Sequence, residues 1–262
     1  MTVSPFRWRL MVLKSRLVST AKIALRAPFV YRNWIYFLWS RFSTQEGTLV
    51  LRNGLRFLIR PHGTDRAAIT EVTVLGSYSD VPEGSVVLDV GANIGAFSLT
   101  ASRRAAVVYA LEPVGANFDV LRRNVELNQA GNVIAERLAM AAENGECEMS
   151  IAGVFSSMHF RDSGARAEKV PTITLERFLE ERGLAEVDYM KMDCEGAEWD
   201  ILLNAPPNVL ARIKHIEMEF HNIGNETDPR MLQERLSLAG FRSTVSEGDR
   251  FNGGLIATRQ IV

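Results

Sequence analysis

Three stretches of this chain carry residues whose types and spacing could do chemistry. The first is VLDVGANIGAFSL, residues 87–99. Residues 86–90 read as a buried strand with one acid, Asp89, followed by a turn, Gly91-Ala92-Asn93-Ile94-Gly95, and a helix. Gly91 lets the chain reverse sharply, and Gly95 lets backbone or helix come close to a ligand. In open α/β sheets ligands bind at the carboxyl ends of strands, where strand order reverses. The next strand, 107–111, ends in Glu112-Pro113. A carboxylate there can accept from both hydroxyls of a ribose, and Glu112 follows Gly95 at about the spacing of ~20 residues known from dinucleotide folds. A dinucleotide loop, however, needs a glycine where Asn93 stands, so the backbone can reach a pyrophosphate. That departure weighs against a nicotinamide-dependent oxidoreductase. It suits S-adenosylmethionine, which has no phosphate but carries an amino-acid moiety and a positive sulfonium. The plainer alternative makes Asp89 a loop-capping acid and Glu112 a solvated one.

The second stretch is VDYMKMDCEGAEW, residues 187–199, a strand to Met192 with Lys191 one step inside it and a turn at Gly196. Asp193 and Glu195 project at the carboxyl end of a central strand, over the same cleft as Gly91. Glu198 is explained by the helix that starts there, since acids favour helix N-termini. The third is IKHIEMEFH, residues 213–221, in which Glu217, Glu219 and His221 alternate with Ile216, Met218 and Phe220. Beside the preceding parallel strand this one should be covered, and covered acids need partners. Glu219 and His221, nearest the carboxyl end, should face the cleft; His221 reads either as catalytic or substrate-contacting, or as structural.

Together these motifs resemble the FkbM family of methyltransferases. The matching residues are Asp89, Gly91, Ala92, Asn93 and Gly95 in the loop; Glu112 and Pro113; Lys191, Asp193, Glu195, Gly196 and Glu198 in the block; and Glu217 with Glu219 in the later strand. The resemblance spans roughly residues 48–258 and implies a Rossmann-like α/β fold with a seven-stranded, mostly parallel sheet. It implies S-adenosylmethionine as cofactor, with Asp89, Gly91, Asn93, Gly95 and Glu112 around it, and O-methylation of a hydroxyl on a sugar, glycan or small natural product. In-line displacement at a methyl sulfonium needs mainly alignment and a base for the hydroxyl proton. Asp193, Glu195 and His221 are the candidates, with no order among them. No metal is expected. The rival classes are the oxidoreductase above and a non-catalytic binding protein on the same fold, against which the intact acids argue.

The elements that must position these residues alternate in the way of βαβ units. Short β-rich runs fall at 86–90, 107–111, 133–138, 187–192 and 213–220, with helical patterns at 95–104, 115–129, 174–182 and 197–204. Phe118, Leu121 and Val125 mark the inner face of the second helix. Extra strands are expected around 146–151 and 170–174, and a final antiparallel pair at 241–245 and 255–258. Upstream, TLVLRNGLRFLI at 48–59 predicts a β-hairpin turning on Asn53-Gly54, and 65–76 a lead-in helix. This divides the chain into an arm (1–42), a hairpin with its lead-in helix (43–84) and the main domain (85–262).

The arm is chemically distinct. Residues 1–42 hold eight basic side chains and no acidic one, and seven aromatics lie between Phe29 and Phe42. The remainder carries 22 basic against 31 acidic side chains, which speaks against a nucleic-acid substrate. Phe6, Leu10, Leu13, Leu17, Ala21 and Ala24 follow helical spacing, and Pro28 should end or kink that helix. The arm has no signal-peptide core and is too short in uncharged residues to span a bilayer. Two readings stand: it packs on its own domain or on a second copy, or it lies on an anionic membrane surface. The two cysteines, Cys147 and Cys194, form no metal or disulfide pattern, so a reducing, cytoplasmic setting is expected, with peripheral contact at the inner membrane face under the second reading.

Overall fold

The computed structural model describes residues 22–152, 155–157, 166–221, 228–246 and 252–260. Most of the helical stripe expected from Phe6 to Ala24 lies outside them. The chain forms two compact units, one up to Ser77 and one from Tyr78.

In the first unit helix α1 (residues 22–30) and helix α2 (Trp34–Trp39), extended by a 3-10 turn at Ser40–Phe42, precede strands β1 (Gly47–Val50) and β2 (Arg56–Ile59). Helix α3 (Asp65–Thr70) follows and continues as a wider turn over Glu71–Leu75. Helix α1 runs just past Pro28, to residue 30, and the Tyr31 N–H still donates to the Ala27 carbonyl at 2.8 Å. The hairpin turn is wider than a two-residue one. The Leu51 N–H donates to the Leu55 carbonyl, and of the central residues only Gly54 takes a positive φ, +97°, as in three-residue turns with glycine in the left-handed position. Arm and hairpin are not separate segments. Tyr31 bridges Leu51, Arg32 N–H donates to the Val50 carbonyl, and Tyr31, Phe37, Leu49 and Phe57 are buried together, with the Tyr31 and Phe37 rings stacked at 4.4 Å.

The second unit is built on β3 (Val86–Val90), α4 (Ala96–Ala101), β4 (Val107–Leu111), α5 (Gly115–Asn128) and β5 (Val133–Glu136). A smaller sheet follows, of β6 (Ala139–Met140), β7 (Gly145–Ala152), β8 (Phe155–Ser157) and β9 (Arg166–Ile173). Then come α6 (Leu175–Glu181), β10 (Tyr189–Met192), α7 (Ala197–Asn204), α8 (Pro207–Leu210), β11 (His215–His221), α9 (Pro229–Leu238), β12 (Phe241–Ser246) and β13 (Asn252–Arg259). The main sheet has seven strands in the order β12-β13-β11-β10-β3-β4-β5, with β13 antiparallel to both neighbours. This is the seven-stranded, mostly parallel Rossmann-like sheet that the resemblance implies. The stretch 78–84 goes with this unit rather than with the hairpin, because Ser79 is tied to Glu217 on β11.

The helices follow local chemistry. Thr174 caps α6 by accepting from the Arg177 N–H, and Asp228 before Pro229 caps α9, the preferred N-cap and first-turn residues. The inner face of α5 keeps Leu121 but is turned from the one apolar spacing suggests. Val120, Leu121 and Asn124 are buried, while Phe118 and Val125 are half-buried. Asn124 takes an inward position because its Nδ2 donates to the Ile94 carbonyl at 2.9 Å, which fixes the loop after β3. No helix among the described residues is long and apolar enough to cross a membrane.

Candidate active site

Strand β3 pairs with β4 on one side and β10 on the other. The chain therefore leaves β3 in one direction for β4 and β5 and fills the other side later, which opens a crevice at the carboxyl ends of β3 and β10. The loops after these strands meet there. A side chain on Gly91 would put its Cβ 1.9 Å from the Asp193 carbonyl oxygen, and Gly91 has a φ of +79°. Both facts demand glycine. Gly95 is constrained differently: its Cβ would strike Leu121 of α5 at 2.6 Å, so it seats α4 against α5.

Asp89 and Lys191 are neighbours in register on β3 and β10, both buried, with Lys191 Nζ 3.2 Å from Asp89 Oδ1. The Ser98 hydroxyl donates to Asp89, and Lys191 Nζ donates to the Gly91 carbonyl at 2.8 Å. Asp89 thus lies beneath the loop, as an anchor for the lysine that pins it. Asn93 and Glu112 do come together: the Asn93 N–H donates to Glu112 Oε2 at 2.8 Å and the Val114 N–H to Oε1 at 2.9 Å. Burial lifts the Glu112 carboxyl to about 7, against the pull of those donors. Asn93 sits in the left-handed region at φ +51°, and its Oδ1 is buried with no hydrogen-bond partner among the described residues. An unpaired buried acceptor costs free energy. In this loop it is an opening for a ligand donor.

At the other lip, Glu198 is fully buried and accepts from the Cys194 N–H at 2.7 Å and the Gly196 N–H at 2.9 Å. Its Oε1 also lies 3.2 Å from His221 Nδ1, while Glu195 Oε2 lies 3.6 Å from His221 Nε2. The His221 ring is therefore held between two carboxylates, and the Trp199 indole N–H donates to its carbonyl at 2.7 Å. Burial works against the imidazolium, but Glu198, Glu195 and Asp193 outweigh it and raise His221 to about 9. Asp193, Glu195 and Glu219 are all pushed up, first by burial and also by neighbouring carboxylates, Glu198 among them in each case. Glu195 holds a φ of +55°, a conformation that costs a non-glycine residue on the order of 1 kcal/mol. It remains the more exposed acid, with 40% of its side chain in water.

The three catalytic candidates, Asp193, Glu195 and His221, thus stand together. Possible ligand atoms of Asp193, Glu198 and His221 lie within 4.8 Å of one another. A divalent cation there would compete with the proton on His221 and with the backbone donors on Glu198. Two residues do more here than their sequence context suggests. Glu198 looks like an ordinary helix-start acid and also holds His221. Lys191 was legible: a lone cation in the buried run YMKM, beside a lone anion in VVLDV, at matching positions of adjacent strands, calls for pairing.

The family described as "Methyltransferase FkbM domain" matches residues 89–243. The chain is 28% identical over 204 residues to the 31-O-demethyl-FK506 methyltransferase FkbM of Streptomyces tacrolimicus, covering 64% of this chain and 75% of that one. It is also 28% identical over 183 residues to the AMB antimetabolite synthetase AmbE of Pseudomonas aeruginosa, of which it spans only 9%. Among solved structures, a methyltransferase FkbM from Methylobacillus flagellatus superposes with a TM-score of 0.49 at 15% identity, covering 72% of this chain and 47% of that one.

Proposed function

The chain belongs to the FkbM methyltransferase family, and from that premise we propose that it transfers a methyl group to a hydroxyl oxygen of a sugar, glycan or small natural product. S-adenosylmethionine is the cofactor that comes with the family, and when bound it supplies a methyl carbon on a sulfonium leaving group. The residues present fit it. The orphaned Asn93 Oδ1 and the buried Glu112 carboxylate offer acceptors to a ligand rich in hydroxyl and ammonium donors. The acids beyond Gly91 favour a nearby positive charge. Oxygen as the acceptor atom rests on the Streptomyces relative, whose name describes O-methylation, and on a site equipped to take a hydroxyl proton.

The observation that carries the reading is the Glu195–His221–Glu198 chain. His221, raised to about 9, already holds its proton at neutral pH and is no base. Glu195 is exposed enough to meet an acceptor and is held next to the imidazolium. Its carboxyl is shifted toward neutrality, which makes it a stronger base for a hydroxyl. Asp193 adds negative charge beside it, and Lys191 keeps the Gly91 carbonyl fixed.

The test is calorimetric titration of S-adenosylmethionine into the parent and into Glu112→Ala, beside methyl transfer to a panel of hydroxylated sugars and small products. Losing a charge-assisted acceptor should cost about 1.5–3 kcal/mol of binding. Unchanged affinity removes Glu112 from the cofactor site. Product methylated at nitrogen or carbon instead of oxygen removes the acceptor assignment.

A further inference from the structure

The first unit turns an apolar stripe outward. Ile35, Leu38, Trp39 and Phe42 recur at the i, i+3, i+4, i+7 spacing of one helical face, yet all are exposed, Ile35 and Phe42 by 67% each. Helix α1 does the same with Leu25 and Phe29, the latter 80% exposed. Helices of soluble proteins turn such a face inward, and a cluster of large exposed apolar side chains marks an interaction surface. The stripe is not left over from a poorly filled core. The inward face of the same segment, Tyr31 and Phe37, already closes the core of this unit against Leu49 and Phe57.

Charge selects the occupant. Lys22, Arg26, Arg32 and Arg41 are exposed among these apolar residues, and Arg41 lies over the Phe42 ring at 4.9 Å. The sequence from 1 to 42 has eight basic and no acidic side chains. A symmetric dimer would set this patch against a copy of itself, cation against cation. An anionic bilayer complements both of its properties. Basic residues gain from the negative surface potential, while tryptophan and phenylalanine insert at headgroup depth. We propose that residues 22–42 form a peripheral docking surface for anionic lipid, which would bring methyl transfer to an acceptor at or on a membrane.

The experiment is sedimentation of the full chain with vesicles of pure phosphatidylcholine and with vesicles in which about a third of the lipid is phosphatidylglycerol, a fraction high enough for the surface-potential effect. Pelleting with the anionic vesicles, weakened in high salt, is expected. Trp39→Ser with Phe42→Ser, and separately Arg32→Glu with Arg41→Glu, should each lower partitioning at least ~10-fold, the scale of one or two lost surface contacts. Both pairs are exposed, so circular dichroism should be unchanged. Equal pelleting with both vesicle types overturns the anionic-lipid assignment. No pelleting overturns it too, and if the parent is then a dimer in sedimentation velocity that Trp39→Ser with Phe42→Ser dissociates, the occupant is a second copy.

Discussion

Strand β11 presents two acid–histidine pairs along one face, His215 with Glu217 near its start and Glu219 with His221 at its end, and the two live under opposite conditions. Glu217 has donors to spare: the Ser79 N–H at 2.9 Å, the Ser79 hydroxyl and His215 Nε2 at 3.0 Å. Burial opposes its charge, but those hydrogen bonds outweigh burial and bring it to about 2. At the other end Asp193, Glu195, Glu198 and Glu219 surround the single ring of His221, and the carboxyls of Asp193, Glu195 and Glu219 rise. A buried charge met by its own donors is a strut. Buried carboxylates crowded against one another around one imidazole are poised to take up a proton or a positive ligand, and such perturbed groups in a cleft mark functional sites.

The sharpest way to break this contrast is Glu195→Gln. If the group around His221 is the reacting end, turnover should fall ~10²-fold or more, the contribution of a positioned base, with affinity for S-adenosylmethionine changed only slightly. Full turnover on the true acceptor would make Glu195 as structural as Glu217.

Much of this contrast was legible in the sequence, and what was not has physical causes. Period and spacing placed β3, β4, β10 and β11, hence Gly91, Glu112 and Asp193 at one sheet edge, because parallel strands buried on both faces leave a strong apolar signal. Hydrogen bonding between side chains and distant backbone leaves none. Nothing local tells that Glu217 meets Ser79, 138 positions away, or that Asn124 takes an inward place on α5 to hold the Ile94 carbonyl. The arm is legible as chemically distinct, but its union with the hairpin depends on Tyr31 and Leu51 pairing across the chain, which no periodicity encodes.

The His215–Glu217 pair is tested by Glu217→Gln. Because its folded pKa is depressed to about 2 from 4.5, its contribution is present above pH 4.5 and lost as the pH falls toward 2. Removing the charge should cost on the order of 3 kcal/mol at pH 7, shrinking in acid, while activity of the folded fraction is kept. Urea denaturation at pH 6 and pH 3 reads the gap. The same gap at both would mean that the carboxylate charge is not what Ser79 and His215 hold.

The smallest effect belongs to His221→Gln and separates the two ends of the strand by the sign of their pH dependence. His221 is raised from 6.5 to about 9, so its stabilisation is fully present below pH 6.5 and lost as the pH rises through 9. With about a fifth of the ring's side chain still in water, 22%, the contribution is on the order of 2 kcal/mol. Glutamine can keep a hydrogen bond to Glu198 but not the positive charge. The variant should therefore be less stable than the parent at pH 6 and equal to it near pH 9.5, the reverse of the acid-side trend for Glu217→Gln. Denaturation curves at pH 6, 7.5 and 9.5 decide it. A gap that does not close with rising pH means that His221 is neutral in the folded protein. It would then be free to accept a proton, and the base would move from Glu195 to His221.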